Sequence, residues 1–528
     1  MLHYIQSFTP KESEALADEK LVYLPLDERP CNYDFPQLLI RDAGIQMVRP
    51  ALDMMGRKKT PGDTKQLADW LEVECSNAYG AVVSLDTLLY GGIVPSRLHD
   101  LSEAEILGRL ERLRTIKQNR PVLKLFAMHL IMRCPQYSSD DEEPGYYGQY
   151  GRDIFRKGYL SHKQELGIIT EEEEQELADI LANLPAEVER DYLERRAINR
   201  MANRKVLEYV EEGIIDFLVI PQDDSAPYGW TALDQQQVRQ DMMSRNVELR
   251  ALMYPGADEA GCTLTIRMIH EMNGEKPWIY PRFAGSGAPY ITPLYEDRPL
   301  FESVTYHILA AGGQIAGSAQ EADVILLINA PGAGMEEANS QPSPNASYQV
   351  LRNVVELVEY GHQMMNRYGK PVAVADVAYA NGGDLQLLKL LRQKGMLFQL
   401  AGYAGWNTSS NTLGTVIAQG LLYHRYGSRQ AHLDFLALRY TEDCGYCSVV
   451  RKELSGGVIQ QIGCDYFEAD GQRGRVAGMV QEKLEQFVQQ YVNTDRVSVS
   501  VDEVYLPWNR MFEVGVSTVC TVNWLSNK

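Results

Sequence analysis

Residues 215–224 read IDFLVIPQDD, a short apolar run that ends in Gln222, Asp223 and Asp224. A continuous run of this length, rich in Ile, Leu and Val, is typical of a β-strand buried on both faces of a parallel sheet. Eight similar runs occur along the chain, separated by helical patterns, at residues 21–26, 80–85, 122–128, 249–254, 278–283, 323–329, 372–376 and 400–403. This alternation predicts an α/β fold.

Two arrangements of these strands are compatible with the pattern. The first is a (β/α)8 TIM-like barrel over residues 20–430, with a long insertion at 135–211 and a C-terminal α+β region at 431–528. The second consists of two doubly wound α/β domains that divide near residues 285–300. We expect the barrel, although the nine candidate strands leave one too many for it.

The composition is that of a globular protein with an acidic surface. With 51 Lys and Arg against 71 Asp and Glu, the formal net charge is −20, which would repel the phosphate backbone of a nucleic acid. No apolar run approaches the roughly 18 residues of a membrane-spanning helix, so no membrane partner is expected. Residues 1–20 lack the apolar segment of a signal peptide. The expected location is therefore the cytoplasm.

The eight cysteines are scattered, and Cys444-Gly-Tyr-Cys447 is the only CxxC motif. Without a second such motif or a nearby histidine, this pair does not complete a zinc site. Reduced structural thiols are therefore expected. No cofactor is predicted, because the sequence contains neither a P-loop nor the glycine fingerprint of a dinucleotide-binding turn. Whether the chain forms a homo-oligomer stays open.

Polar and aromatic side chains follow most of the predicted strands. Because the carboxyl ends of parallel strands lie at one edge, these side chains are expected to share one site. Carboxylates and amides bind sugar hydroxyls, and aromatic rings stack on a sugar's apolar face. A single Asp could equally cap the next helix, but the pattern recurs at seven strand ends. The predicted substrate-binding residues are Asp27, Arg29, Asn32, Asp86, Tyr90, Arg97, His129, Gln222, Tyr228, Asp258, Glu259, Asp376, Asn381, Asp384, Trp406, Asn407 and Asn411.

Asp223 and Asp224 are the predicted catalytic pair. Two adjacent carboxylates in one cleft repel each other, so one is expected to titrate high and act as a general acid while the other stays ionised. This division suits the cleavage of a glycoside through an oxocarbenium-like transition state. The sequence therefore predicts an enzyme of carbohydrate metabolism, a glycoside hydrolase that acts on a small glycoside or oligosaccharide.

Two other functions stay open. A metal-dependent hydrolase would use His129 together with Asp27, Asp86 or Asp258 as ligands. A non-catalytic protein would bind a sugar without converting it. The acidic loop at residues 140–143 also has two interpretations. A solvated loop is favoured, and a lid over the site is the alternative.

Four motifs carry a resemblance to a known family. They are PLDERPCNYDFP at 25–36, SLDTLLYGGIVPSR at 84–97, IPQDDSAPYGW at 220–230 and AGYAGWNTSSNTLGT at 401–415. Over about residues 20–520 the sequence resembles a bacterial family catalogued only as a domain of unknown function (family 4127), and this resemblance implies no activity.

The tandem pair Asp223-Asp224 is also similar to the O-GlcNAcase and hyaluronidase-like retaining N-acetylhexosaminidases, which are barrels. This second resemblance implies a substrate-assisted reaction. Asp223 would then assist the substrate's own 2-acetamido group as the internal nucleophile, and Asp224 would be the general acid and base.

Overall fold

The computed structural model describes residues 20–341 and 343–523. The expectation of a chain without a signal peptide concerns residues that lie, apart from Lys20, outside this described part. The last five residues of the predicted C-terminal region, 524–528, also lie outside it.

The first sheet contains six parallel strands. They are β1 (Lys20–Leu24), β2 (Gln46–Val48), β3 (Gly80–Ser84), β4 (Lys124–Met128), β5 (Phe217–Gln222) and β6 (Ala251–Pro255). Their order across the sheet is β2-β1-β3-β4-β5-β6, and each neighbouring pair is parallel. The strand order reverses at β1, which lies between β2 and β3. In open α/β sheets the ligand crevice lies beyond the carboxyl ends of the strands at such a reversal.

The second sheet repeats this topology with five parallel strands. The next elements along the chain are β7 (Trp278–Phe283), β8 (Gln314–Ile315), β9 (Val324–Asn329), β10 (Glu336–Glu337), β11 (Val372–Asp376), β12 (Tyr379–Ala380) and β13 (Gly402–Ala404). The second sheet has the order β13-β11-β9-β7-β8, and β10 pairs separately with β12. Counted within each sheet, both begin with the order 2-1-3-4-5.

Helices connect the strands, and a hairpin closes the described chain. The helices are α1 (Pro30–Tyr33), α2 (Phe35–Ile40), α3 (Thr64–Cys75), α4 (Leu85–Tyr90), α5 (Pro95–Leu98), α6 (Glu103–Asn119), α7 (Tyr147–Glu165), α8 (Glu171–Asn183), α9 (Ala186–Glu211), α10 (Trp230–Arg245), α11 (Ala260–Asn273), α12 (Leu300–Ala310), α13 (Ser347–Val350), α14 (Val354–Tyr368), α15 (Leu385–Gln393), α16 (Ser409–Tyr426), α17 (Gln430–Arg439), α18 (Arg451–Glu453) and α19 (Arg475–Phe487). Strands β14 (Val497–Tyr505) and β15 (Gly515–Val522) pair antiparallel. Among the described residues no helix is long and apolar enough to cross a bilayer.

Both faces of each sheet are covered, as the continuous apolar runs predict. In β1, Val22 and Leu24 belong to the same apolar cluster as residues of α3, α6, α9 and α10, whereas Leu21 and Tyr23 belong to a second cluster with residues of α2 and α11. Helix α11 also packs against α16, which covers the second sheet. A layer of helices is therefore shared by the two sheets and joins them into one core.

The closed barrel expected from the sequence is not what the structure shows. The described strands form two open parallel sheets instead, which corresponds to the alternative with two α/β units. The division also comes earlier than residues 285–300, because β7 already belongs to the second sheet. Periodicity identifies buried strands but not their neighbours, and the same apolar runs are compatible with a closed or an open sheet.

The C-terminal region shares the core of the second sheet and is not a separate appendage. Leu506 and Met511 lie in the same apolar cluster as Ile325 and Leu327 of β9. The insertion is only partly independent of the first sheet. Its helices α7 and α8 enclose a small core of their own, while the last two turns of α9 pack on the first sheet.

The contact between α11 and α16 generates a stability prediction. A Cβ atom at Gly414 of α16 would meet Cγ of Glu259, the residue before α11, at 2.2 Å and Oγ1 of Thr263 on α11 at 2.8 Å, so Gly414→Ala must shift this contact. We expect the free energy of unfolding to fall by about 1–3 kcal/mol, measured by urea denaturation. Gly108 on α6 is the control, since its Cβ would have nothing within 4 Å. There alanine should be neutral or stabilise by up to about 1 kcal/mol; equal losses in both variants would contradict this packing.

Candidate active site between the two sheets

The end of the first strand folds around a buried arginine. The chain turns after β1, where Oδ1 of Asp27 accepts hydrogen bonds from the backbone N–H of Arg29 at 2.9 Å and from Nδ2 of Asn32 at 3.0 Å. Nη2 of Arg29 donates to Oδ2 of Asp27 and to Oδ1 of Asp258, both at 2.6 Å. Asp258 follows β6, so this arginine connects the first strand of the sheet with its last.

Asp258 also connects the two sheets. Its Oδ2 accepts a hydrogen bond at 3.2 Å from Nδ2 of Asn407, which follows β13. Its backbone N–H donates to Oδ1 of Asn411 at 3.1 Å. Asn407 has a φ of +53°, in the left-handed region that asparagine tolerates better than most residues. The carboxyl ends of the two sheets therefore meet at one carboxylate.

A small cavity adjoins this junction. Its volume is about 30 Å³, and its lining includes Arg29, Asp258, Asn381, Trp406 and Asn407. A volume of this size holds water molecules but no sugar ring, and in this sense the form described here is closed. The amides of the two asparagines and the indole of Trp406 nevertheless give the cavity a wall suited to a hydroxylated ligand.

Asp223 and Asp224 follow β5 in an adjoining cluster. Oδ2 of Asp223 lies 2.8 Å from Nη2 of Arg97, and Oδ2 of Asp224 lies 3.2 Å from Nη1 of Arg133. The two carboxylate side chains are 19% and 26% exposed, more than the arginines that hold them. Asp224 has a φ of +44°, in the left-handed region. Aspartate is among the residues that tolerate this region, and the turn directs the carboxyl of Asp224 towards Arg133.

Both carboxyls of the pair have a raised pKa. Burial raises the pKa of Asp223 to about 7, and the charge of Asp224 contributes next. Burial also raises the pKa of Asp224, but there the next influence is Arg133, which lowers it. Near neutral pH the raised pKa values therefore favour one proton shared by the pair.

The acidic loop at residues 140–143 covers this cluster and is not a solvated loop. Glu143 is buried, and Nε of Arg133 lies 2.7 Å from its Oε1. Glu142 contacts Arg97, Arg133 and Arg510. Burial alone would raise the pKa of Glu142, but these arginines together hold it well below its ordinary value. The alternative interpretation, a lid, therefore fits the geometry better than the favoured one.

Trp508 joins the two clusters. Its ring lies 4.5 Å from the guanidinium of Arg29 and 4.6 Å from that of Arg510, within the range of a cation–π contact. Its Nε1 donates to Oε1 of Glu28 at 2.7 Å. The site is therefore continuous from the junction of the sheets to the Asp pair.

Asp86, Tyr90 and His129 follow β3 and β4 and are buried. Oδ2 of Asp86 accepts from the backbone N–H of Leu130 at 3.1 Å, and burial raises the pKa of Asp86 to about 7. The Tyr90 ring stacks on His129 at 6.4 Å. Nδ1 of His129 lies 2.9 Å from Nδ2 of Asn203, and burial lowers its pKa to about 3. His129 is thus neutral and engaged by an amide. Within residues 20–341 and 343–523 no group of three or more His, Cys, Asp or Glu is arranged to hold a metal ion.

Three further predicted residues contact other parts of the molecule. Gln222 accepts from Nη2 of Arg298 at 2.7 Å. Glu259 accepts from the backbone N–H of Ala257 at 2.9 Å, and its Oε1 lies 3.3 Å from Nε2 of His307. Tyr228 packs edge-on against Tyr159 of α7 at 5.4 Å, so it lies against the insertion.

Asp376 and Asp384 form a separate network at the end of β11. Asp376 accepts from Nδ2 of Asn329 at 2.9 Å and from the hydroxyl of Tyr403 at 2.7 Å. Nη1 of Arg352 donates to Asp384 at 2.6 Å, and Asp384 also caps α15. Burial, followed by the charge of Asp384, raises the pKa of Asp376 to about 7. Both carboxylates are buried within the second sheet, whereas Asn381 reaches the cavity.

Sequence reasoning missed Trp508 and Arg510. They lie in the loop between β14 and β15, outside the strand ends at which α/β folds place their functional residues. A signal was present in PWNRMF at residues 507–512, an aromatic and basic run in an otherwise alternating hairpin. The eight cysteines, including the pair at 444 and 447, are buried and unpaired.

A family model described as a protein of unknown function (DUF4127) matches residues 21–517. The chain belongs to this family. No curated protein matches it. The weaker resemblance to retaining N-acetylhexosaminidases has no support from these comparisons, and the open sheets differ from the barrels of those enzymes.

The raised pKa of Asp86 generates a prediction for stability against pH. Its folded-state pKa of about 7 lies above that of an unfolded Asp. The contribution of Asp86 is therefore complete below about pH 4 and is lost as pH rises through 7. Asp86→Asn keeps an oxygen that can accept the hydrogen bond from the N–H of Leu130. Because an amide does not titrate, the variant does not lose stability as pH rises. Relative to wild type, the variant should gain up to about 1.4 kcal/mol for each pH unit between 4 and 7, measured by denaturation at several pH values.

Glu105 supplies a control of opposite sign. Its hydrogen bonds from Ser102 lower its pKa, so Glu105→Gln should lose stability relative to wild type above its pKa and not below it. Parallel curves of unfolding free energy against pH for Asp86→Asn and wild type would contradict the assignment of a buried, proton-binding Asp86.

Proposed function

We propose that the protein is a glycoside hydrolase in which Asp223 is the general acid. The observation that carries this proposal is a partly exposed carboxyl at the end of a central strand, with a pKa of about 7. A general acid is most effective when its pKa lies near the working pH. A protonated Asp223 can donate to the glycosidic oxygen as the bond to the sugar breaks.

Asp224 has the complementary role in this proposal. Nη1 of Arg133 lies 3.2 Å from its Oδ2 and lowers its pKa against the effect of burial. Once the shared proton is on Asp223, an ionised Asp224 can stabilise the positive charge that develops on the sugar ring or orient a water molecule. This assignment reverses the one implied by the resemblance to N-acetylhexosaminidases, in which the second Asp would be the acid. Arg97 and Arg133 fix both carboxylates, which limits the reorganisation needed during the reaction.

The sugar-binding part of the proposal rests on the neighbouring cavity. Asn381, Asn407 and Trp406 line it, and they offer amide groups for hydroxyls and a flat apolar surface. Because the cavity is small in the closed form, the proposal requires the acidic loop over the Asp pair to open for the substrate.

Replacing the acid provides the first test. Asp223→Asn should lower kcat/KM for a responsive aryl glycoside by about 10²–10⁴-fold, because the amide cannot supply the proton. Asp502→Asn is the matched control: Asp502 is exposed on β14 and should keep wild-type turnover. A panel of aryl glycosides with and without a 2-acetamido group should be assayed by release of the phenol. The same panel tests substrate assistance, which requires that group.

The pH profile distinguishes a lost acid from general damage. Since Asp223 must be protonated, kcat/KM of the wild type should fall as pH rises above about 7. The residual activity of Asp223→Asn should lack this alkaline decline. Near wild-type turnover in Asp223→Asn, with the decline unchanged, would refute the assignment.

A further inference from the structure

We propose that Arg97, Arg133 and Arg510 form a binding site for a carboxylate of the substrate, which Glu142 occupies in the closed form. The substrate would then be a glycoside of a uronic acid. This inference rests on the proposed function, because it specifies the substrate class of the same site.

The contacts of Glu142 resemble those of a bound ligand. Its Oε1 lies 2.5 Å from Nη1 of Arg510. Its Oε2 lies 2.9 Å from Nη1 of Arg97 and 3.1 Å from Nη2 of Arg133. Arginine is the residue best suited to planar carboxylates, because its donors are fixed in one plane. Glu142 is the carboxylate that all three arginines contact, although each of them also pairs with other carboxylates.

The three arginines come from separate parts of the chain. Arg97 lies on α5, Arg133 follows β4, and Arg510 lies in the loop between β14 and β15. Both sheets therefore contribute to the arrangement, since α5 and β4 belong to the first and the hairpin packs with the second. Such convergence at a junction of domains is typical of ligand sites.

The segment that carries Glu142 is suited to displacement. Residues 134–146 form neither helix nor strand, and Tyr137 in this segment is 54% exposed. Asp140, two residues before Glu142, is exposed as well. Cys134 and Tyr146 at its two ends pack in the core of the insertion, whereas residues 136–142 belong to none of the buried apolar clusters, so few apolar contacts oppose a local opening of these seven residues.

The charge balance changes when the segment leaves. In the closed form Asp141, Glu142 and Glu143 are paired with the arginines. Without them, the three guanidinium groups face the Asp pair and Glu513. With one proton on the Asp pair the open site is positively charged, so it would attract a carboxylate. A neutral sugar has no charge that could replace the carboxylates of the displaced segment, so the guanidinium groups would stay unpaired.

The test measures binding separately from turnover. Methyl β-D-glucuronide and methyl β-D-glucoside are titrated by calorimetry into proteins that all carry Asp223→Asn, so that hydrolysis cannot interfere. Adding Glu142→Gln removes the internal competitor and should tighten glucuronide binding by about tenfold or more. Adding Asp140→Asn removes the same charge from an exposed position of the same segment and should not tighten it. Glucoside binding should gain only what the easier opening of the segment supplies, well below the gain for the glucuronide, and should not change with Asp140→Asn.

A third variant and a measurement on the wild type complete the design. Arg510→Gln, added to Glu142→Gln, should abolish the gain for the glucuronide. In the wild-type protein, glucuronide should accelerate hydrogen exchange of residues 136–146, because the ligand displaces the segment; this readout does not depend on the folding of any variant. Equal binding of both sugars by Glu142→Gln, or unchanged exchange in the wild type, would overturn the carboxylate site.

The outcomes also separate this inference from the proposed function. Glucuronide binding without loss of turnover in Asp223→Asn would refute the catalytic assignment alone. Turnover that depends on Asp223 but prefers neutral glycosides would refute the carboxylate site alone.

Discussion

The contact of Arg29 with Asp27 and Asp258 is the interaction on which the site depends. One buried guanidinium binds carboxylates from the first and the last strand of the first sheet. Through Asn407, Asp258 also holds the end of the second sheet. Removing one partner of such a buried group costs about 3–5 kcal/mol, because the other charge stays buried without compensation. The relative position of the two sheets, and hence the cleft between them, follows from this arrangement.

An excess of buried carboxylates over arginines recurs across the molecule. Asp86, Asp223 and Asp376 all have a pKa raised to about 7, and burial is the largest cause in each. Asp86 and Asp376 are nearly inaccessible, so their protonation affects the stability of the fold and not a reaction with substrate. Asp223 combines the same pKa with partial exposure and a neighbouring carboxylate. That combination, and not the pKa alone, makes it the candidate acid.

Much of the fold could be predicted from the sequence, because buried strands have a local signal. The run at 215–220 corresponds to β5, and side chains after β1, β6 and β13 contact one another, with the pair after β5 in the adjoining cluster. The pairing of strands has no such signal, and this is why two open sheets were mistaken for a barrel. The acidic loop was misjudged for a similar reason: Arg510 lies 368 residues from Glu142, so no local pattern predicts their contact.

The central claim is that Asp223 holds a proton at neutral pH in a site that both sheets build. It can be measured directly by carbon-13 NMR titration of aspartate carboxyls in the wild-type protein, with the Asp223→Asn spectrum to assign the resonance. The account predicts that the Asp223 carboxyl titrates with a pKa of about 7. Titration near the ordinary aspartate value of about 4 would contradict it.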